Sequence, residues 1–160
     1  MPEQKKFKYP ESVHVRALLQ KIKLEEFMTQ NVICIHEDER FSHVEDKFHE
    51  FRIRHLPIIN SQKKIVGIIT EKDLYRIRSP RKLEDGSWYY DREILDTYIL
   101  KNVMTKNPST LTPEHTLGDA LLKIIHGDYG CIPIVSKEGV LCGIVTKGDL
   151  LRMAARTLAG

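Results

Sequence analysis

The sequence predicts a mixed α/β (α+β) protein made of two copies of one β-α-β-β-α unit, and three observations carry that prediction. Residues 27–76 lie on residues 103–152 at a constant offset of 76 without a gap, and 12 of the 50 aligned pairs are identical. Met28-Thr29 falls on Met104-Thr105, Asn31 on Asn107, Lys47 on Lys123, Pro57-Ile58 on Pro133-Ile134, Gly67-Ile68 on Gly143-Ile144, Thr70 on Thr146, Asp73-Leu74 on Asp149-Leu150 and Arg76 on Arg152. A fixed period longer than one supersecondary unit means two copies of one small fold. Within each copy, short apolar runs alternate with stretches whose apolar residues recur every three or four positions, the patterns of buried strands and amphipathic helices. Finally, three short strands cannot bury both of their faces alone, so the copies must pack as a pseudo-symmetric pair with a cleft between them.

The elements follow in order. Residues 1–10 read as frayed, and 11–26 carry Val13, Val15, Leu18, Leu19 and Ile22 at near-helical spacing, a short lead-in helix. In the first copy, Val32–Ile35 reads as a strand, and Phe41, Val44, Phe48 and Phe51 mark an amphipathic helix. Leu56–Ile59 and Ile65–Ile69 read as strands joined by a turn at 60–63, and Thr70 opens a second helix. The second copy gives an extended piece at 109–112, a helix from Leu117 through Ile125, strands at Cys131–Val135 and Val140–Val145, and a last helix from Thr146. The expected organisation is a lead-in over 1–23, a first repeat over 24–77, a linker over 78–100 and a second repeat over 101–156. The linker holds the only Trp and three of the six Tyr, with turn signals at Pro80 and Asp85-Gly86. Its aromatics either pack against the core or form a flap that stacks on a ligand.

Composition narrows the class. With 41% hydrophobic and 29% charged residues, the 160-residue chain reads as an ordinary globular protein rather than a disordered or membrane-embedded one. The N-terminus lacks the apolar stretch of a signal peptide, so the expected location is cytoplasmic. Cys34, Cys131 and Cys142 form no CxxC pair and sit in apolar contexts, as reduced, buried small hydrophobes do. A formal charge of +3 permits an anionic ligand without requiring nucleic acid. There is no P-loop, G-x-S-x-G or G-x-G-x-x-G pattern, and Cys34-x-His36 lacks the second pair a zinc site needs.

The recurring set is M-T-x-N, then His55-Leu-Pro-Ile-Ile (Cys131-Ile-Pro-Ile-Val in the second copy), then Gly67-Ile-Ile-Thr-Glu-Lys-Asp-Leu. In order, twice and at constant offset, it resembles a tandem CBS-domain pair, or Bateman module, from about Leu24 to Met153. The resemblance implies two halves packed through their sheets around a pseudo-two-fold axis, an adenosine-type ligand in one or both clefts between them, a flat disc-like dimer, and a regulatory role without catalysis.

Several positions then acquire two readings. Thr70-x-x-Asp73 and Thr146-x-x-Asp149 each follow an apolar strand and open a helix. Thr with an acidic residue three positions on is close to a capping box. In the family that geometry is a ribose–phosphate site, Thr donating to phosphate and Asp accepting from ribose hydroxyls, and the two roles are compatible. Arg54 and His55, just before Pro57, are the resemblance's candidates for holding phosphate, Arg by its planar fork. A solvated basic strand end is the alternative. The second copy has Tyr129-Gly130-Cys131 there and brings no cation, so the two clefts should not be equivalent: Tyr129 could stack and Gly130 could allow close backbone approach, although a simple turn explains Gly130 as well. Ile33 and Ser109, after the Met-Thr pairs, and Ile68 and Ile144, after the recurring glycines, are the resemblance's candidates for an adenine wall, with ordinary core as the plain alternative for the isoleucines.

The apolar stripe Leu150, Leu151, Met153, Ala154, Ala155 and Leu158 is too wide for one buried helix face and fits a two-fold dimer contact. The expectation is therefore a dimeric, non-catalytic module that senses AMP, ADP or ATP, needs no cofactor or metal, and regulates a protein in trans. Its rivals are a ligand-free interaction module, an S-adenosylmethionine binder and a nucleic-acid binder.

Overall fold

The computed structural model describes residues 13–159 apart from Ser79 and Tyr90. The segment expected to fray, the first two residues of the expected lead-in helix and the side chain of Leu158 lie outside the described residues. The chain opens with helices α1 (Val13–Lys21) and α2 (Leu24–Phe27), then strand β1 (Ile35–His36), helix α3 (Phe41–Phe51), strands β2 (His55–Ile59) and β3 (Ile65–Thr70), and helix α4 (Glu71–Ile77). A small hairpin of β4 (Arg81–Lys82) and β5 (Trp88–Tyr89) and a 3₁₀ turn (Arg92–Thr97) lead to helix α5 (Leu100–Val103) and strand β6 (Thr105–Lys106). Helix α6 (Leu117–Gly127), strands β7 (Cys131–Val135) and β8 (Leu141–Thr146) and helix α7 (Lys147–Ala159) complete it.

The two sheets are built alike and exchange their outer strands. In the first, β1 runs parallel to β2, β2 antiparallel to β3, and β3 pairs with β6 from beyond the linker. In the second, β7 and β8 form the antiparallel pair, Leu111 bridges Ile134 in parallel, and Thr29 bridges Ile144 antiparallel from the first copy. Both central hairpins shift register at the same place, Ile58/Ile59 and Ile134/Val135.

The exchange explains why Met-Thr and Gly-Ile recur together. A Cβ on Gly143 would collide with the Met28 sulfur, and one on Gly67 with that of Met104. Each methionine fills the space left by the glycine of the other half's strand, so neither residue can change alone without strain in a close-packed interior. The segment expected as a strand at 32–35 shrinks to β1, because the chain leaves the second sheet at Thr29 and joins the first only at Ile35, and 30–34 is the crossover between them.

Two apolar cores result, one around Phe41, Leu56, Ile58 and Ile69, the other around Leu117, Ile124, Ile132 and Val145. Leu24 is fully buried in the second core and Leu100, at 1% exposure, in the first. The 3₁₀ turn lies on α3 as α1 lies on α6, and Leu19 and Leu95 stand 76 apart in equivalent places. The back of the linker is thus a second copy of the lead-in. Its front is different: Trp88 and Tyr89 are 69% and 49% exposed and project from the hairpin, so among the described linker aromatics core packing is limited to Tyr98, whose ring lies 6.4 Å from that of Phe41. A buried carboxylate ties the linker down. Glu45 on α3 pairs with Arg78 at the end of α4 and, at 3.4 Å, with Arg92 of the 3₁₀ turn.

Candidate functional site

Strand exchange leaves a cleft of about 970 Å³ between the halves, in the size range of small-molecule sites. One wall is the crossover, with Thr29 and Asn31–Ile33, and the end of α3 running into β2, with Arg52–His55. The facing wall is Ile144 of β8 and the start of α7, Thr146–Asp149 with Arg152. Thr70–Lys72 and the turn residues Asp128 and Gly130 close the inner end.

Thr146 and Asp149 form a capping box. The Thr146 backbone N–H donates to Asp149 Oδ2 at 2.8 Å and its hydroxyl donates to the same oxygen at 2.7 Å, while the Asp149 N–H donates to Thr146 Oγ1 at 3.2 Å. Arg152 donates to Oδ1 at 2.5 Å. The Asp149 side chain stays 19% exposed. Its counterpart Asp73 makes the same bonds to Thr70 and pairs with Arg76, but only 6% of its side chain is exposed. A third box, Thr116–Asp119, opens α6, so the motif's capping role is general in this chain and access to the carboxylate separates the copies.

The structure brings Thr70, Thr146, Asp149, Arg54, His55, Ile33, Ile144 and Gly130 to the cleft. It does not bring Asp73, Ser109, Ile68 or Tyr129 there. Asp73 makes the same cap as Asp149, but only 6% of its side chain is exposed and it lies outside the cleft lining. Ile68, with Cys131 and Ile144, belongs to the small core where the sheets meet. The Tyr129 ring lies over Gly127, where any Cβ would strike it. Sequence reasoning missed Thr29, Asn31 and Arg152, although all three recur in both copies and that recurrence was the available signal. It also missed Arg52, Lys72, Lys147 and Asp128, which do not recur.

The cleft is electropositive. Arg52, Arg54, Lys72, Lys147 and Arg152 face three carboxylates, Glu71, Asp128 and Asp149, an excess of two positive charges with His55 neutral. Arg54 lies 3.8 Å from Glu71 and Lys147 2.9 Å from Asp128, whose side chain is 96% exposed, so these pairs are loose and screened. His55 packs its Nε2 edge against Gly130, where a Cβ would collide with it. Burial, then Arg54, Lys147 and Lys72, hold its imidazole below the ordinary range. The adjoining Cys131 thiol is pushed up to about 12, mainly by burial. Among the described residues no three His, Cys, Asp or Glu side chains are grouped to hold a metal ion, and no helix is long and apolar enough to cross a membrane.

The CBS domain family model matches residues 24–79 and 100–156. The chain belongs to the CBS-domain family, as a tandem pair. The CBS pair is 27% identical over 128 residues to the uncharacterized protein MJ1225 of Methanocaldococcus jannaschii, covering 80% of this chain and 41% of that protein. It is 30% identical over 126 residues to an inosine-5'-monophosphate dehydrogenase of Korarchaeum cryptofilum, covering 79% of this chain and 23% of the enzyme. The chain thus spans less than half the length of both relatives. Among solved structures, the putative acetoin utilization protein AcuB of Vibrio cholerae matches with a TM-score of 0.69 at 26% identity, over 86% of this chain and 93% of that one. CBSX2, solved in complex with AMP, matches at 0.69 and 24% identity over 85% and 98%. The CBS pair of MJ0100, solved with 5'-methylthioadenosine and S-adenosyl-L-methionine, matches at 0.69 and 20% over 84% and 97%. These last two likenesses concern the fold.

Proposed function

We propose that this CBS pair is a non-catalytic regulatory module that binds an adenine nucleotide (AMP, ADP or ATP) in the cleft and transmits its presence as a change in the relative placement of the two halves. The observation that carries this reading is the electropositive cleft in which the accessible Asp149 carboxylate, on one half, faces Arg54, on the other. Asp149 accepts from the ribose hydroxyls, as acidic residues do in dinucleotide folds. Thr146 and Arg54 hold the phosphate, and Ile33 and Ile144 flank the base. A ligand held this way bridges the repeats 24–77 and 101–156 and shifts a conformational equilibrium by as much as its affinities for the two states differ. That CBSX2 was solved with AMP and MJ0100 with two adenosine derivatives supports an adenosine-type occupant. Surplus positive charge favours a phosphate over the cationic sulfonium of S-adenosylmethionine.

The module works as a homodimer. Leu151 on α7 and Tyr75 on α4 stand 76 apart and are 71% and 59% exposed, an apolar pair repeated at equivalent places and suited to a two-fold contact. Sedimentation of wild type against Tyr75→Glu/Leu151→Glu tests this, a dimer in the first and a monomer in the second being expected.

Isothermal titration with AMP, ADP, ATP and S-adenosylmethionine tests the ligand. Saturable nucleotide binding that Asp149→Ala abolishes and Asp73→Ala leaves is the expected result. No heat with any of the four, from folded protein, would leave a ligand-free interaction module in its place.

A further inference from the structure

Apart from Arg52, which aligns with Asp128, three cations in the cleft have no counterpart at the matching position of the other half. Arg54 corresponds to Gly130, Lys72 to Gly148 and Lys147 to Glu71. They come from three elements, the start of β2, α4 and α7, and all three line the cleft. His55 lines the same cleft, and after burial, the largest cause, the three cations hold its imidazole low. Their partners do not quench them. Among the described residues Lys72 makes no ion pair within 4 Å, Arg54 has only the loose contact to Glu71, and Lys147 reaches a rim carboxylate open to solvent. Like charges gathered without compensation are unfavourable until an anion enters, and a phosphate dianion is the ligand that several of them can share.

We propose that Arg54, Lys72 and Lys147, which line one cleft, form a subsite for a terminal phosphate, so that this cleft prefers nucleoside di- and triphosphates to monophosphates. The proposal rests on the nucleotide reading above and adds to it the phosphate count. Thr146 and Asp149 serve the ribose and first phosphate at the α7 end, and the new subsite lies between Lys147, the first residue of α7, and Lys72 of α4. His55 is the internal reporter. It shares the cleft with Arg54 just before its strand, Lys72 on α4 and Lys147 on α7, with Arg52 and Arg152 as the other cations and Glu71, Asp128 and Asp149 as the carboxylates of the surrounding walls. An entering phosphate offsets the cationic part of the depression and leaves burial, its largest cause, in place, so His55 takes up a fraction of a proton and binding tightens modestly as pH falls through the imidazole range.

The test is titration of AMP, ATP and inorganic tripolyphosphate into the full chain in metal-free buffer at fixed ionic strength, for wild type, Lys72→Gln/Lys147→Gln, His55→Gln and Asp149→Ala. Wild type should bind ATP about tenfold more tightly than AMP, a 1.4 kcal/mol difference, and should bind tripolyphosphate without any nucleoside. The double variant should bring the ATP-to-AMP ratio to about one and lose tripolyphosphate. Asp149→Ala should weaken both nucleotides together and keep tripolyphosphate. Repeating the ATP titration in buffers of different ionisation heat should show proton uptake that His55→Gln lacks. A wild-type ratio near one, or a tenfold ratio surviving the double variant, overturns the subsite while leaving AMP binding standing. Absence of heat with both nucleotides overturns the nucleotide reading, and the subsite with it.

Discussion

Thr70–Asp73 and Thr146–Asp149 are the same four-residue motif on the same strand–helix junction, with the same hydrogen bonds, yet only one presents its carboxylate to the cleft. Around Asp149 the facing wall is Ile53, Arg54 and His55. Around Asp73 the equivalent wall is Tyr129, Gly130 and Cys131, an aromatic ring, a bare backbone and a buried thiol. The capping role has been kept in both copies, because an uncapped helix start costs about 1 kcal/mol wherever it lies. The binding role needs accessible surface and charge on the opposite wall, and neither is a property of the motif. A similar divergence separates α3 from α6: Glu45 is a buried anion clamped by two arginines, while its counterpart Leu121 simply packs on the second core.

That contrast can be broken first at Glu45. Arg78→Ala strips a partner from a carboxylate that is 7% exposed, and a loss of about 3 kcal/mol of stability is expected by urea unfolding. Leu121→Ala in the other half should cost about 2 kcal/mol through lost packing alone and be insensitive to salt. At the paired motifs, Asp73→Ala should cost about 2 kcal/mol, because the half-buried Thr70 N–H and hydroxyl lose their acceptor, with ligand affinity preserved. Asp149→Ala should do the reverse, costing about 1 kcal/mol of stability through the cap and at least about tenfold in nucleotide affinity. Equal losses of affinity in the two variants would abolish the distinction drawn here.

The remaining differences are smaller and concern His55 and its counterpart Cys131. Because the folded chain holds His55 below the ordinary imidazole range, the unfolded chain binds the proton first as pH drops. Its contribution to stability is therefore complete above about pH 6.5 and erodes below it, and thermal melts between pH 7.5 and 5.5 should show a shallower decline for His55→Gln than for wild type. Cys131, 6% exposed and with its thiol pushed up to about 12, should remain unalkylated by iodoacetamide at pH 8 in native protein and react on unfolding. Native modification as fast as at Cys34, which is less buried, would place Cys131 in an open cleft rather than in the core between the sheets.

Much of this architecture can be read from the chain alone. The helices at 41–51 and 117–127 and the four central strands follow from apolar periodicity, because burial of a helix stripe or a strand face is local in sequence. Recurrence of Met-Thr, Gly-Ile and Thr-x-x-Asp at one offset identifies a pseudo-symmetric pair, since the Met–Gly contacts and the caps are needed once per half. Half of the cleft is legible for the same reason, with Thr146, Asp149 and Ile144 on recurring positions. Arg54 and His55 are legible through their place before the strand proline.

Tertiary structure decided what recurrence could not. The Met-Thr segments cross to the other half's sheet, the back of the linker repeats the lead-in with only Arg16/Arg92, Leu19/Leu95 and Leu24/Leu100 identical, and Asp73 closes while Asp149 stays open. Lys72 and Lys147 line one cleft with His55 although 75 residues separate them and neither recurs. Periodicity records which face of an element is buried, whereas strand exchange, access and the meeting of charges depend on which surfaces oppose one another after packing, and only the folded pair sets that.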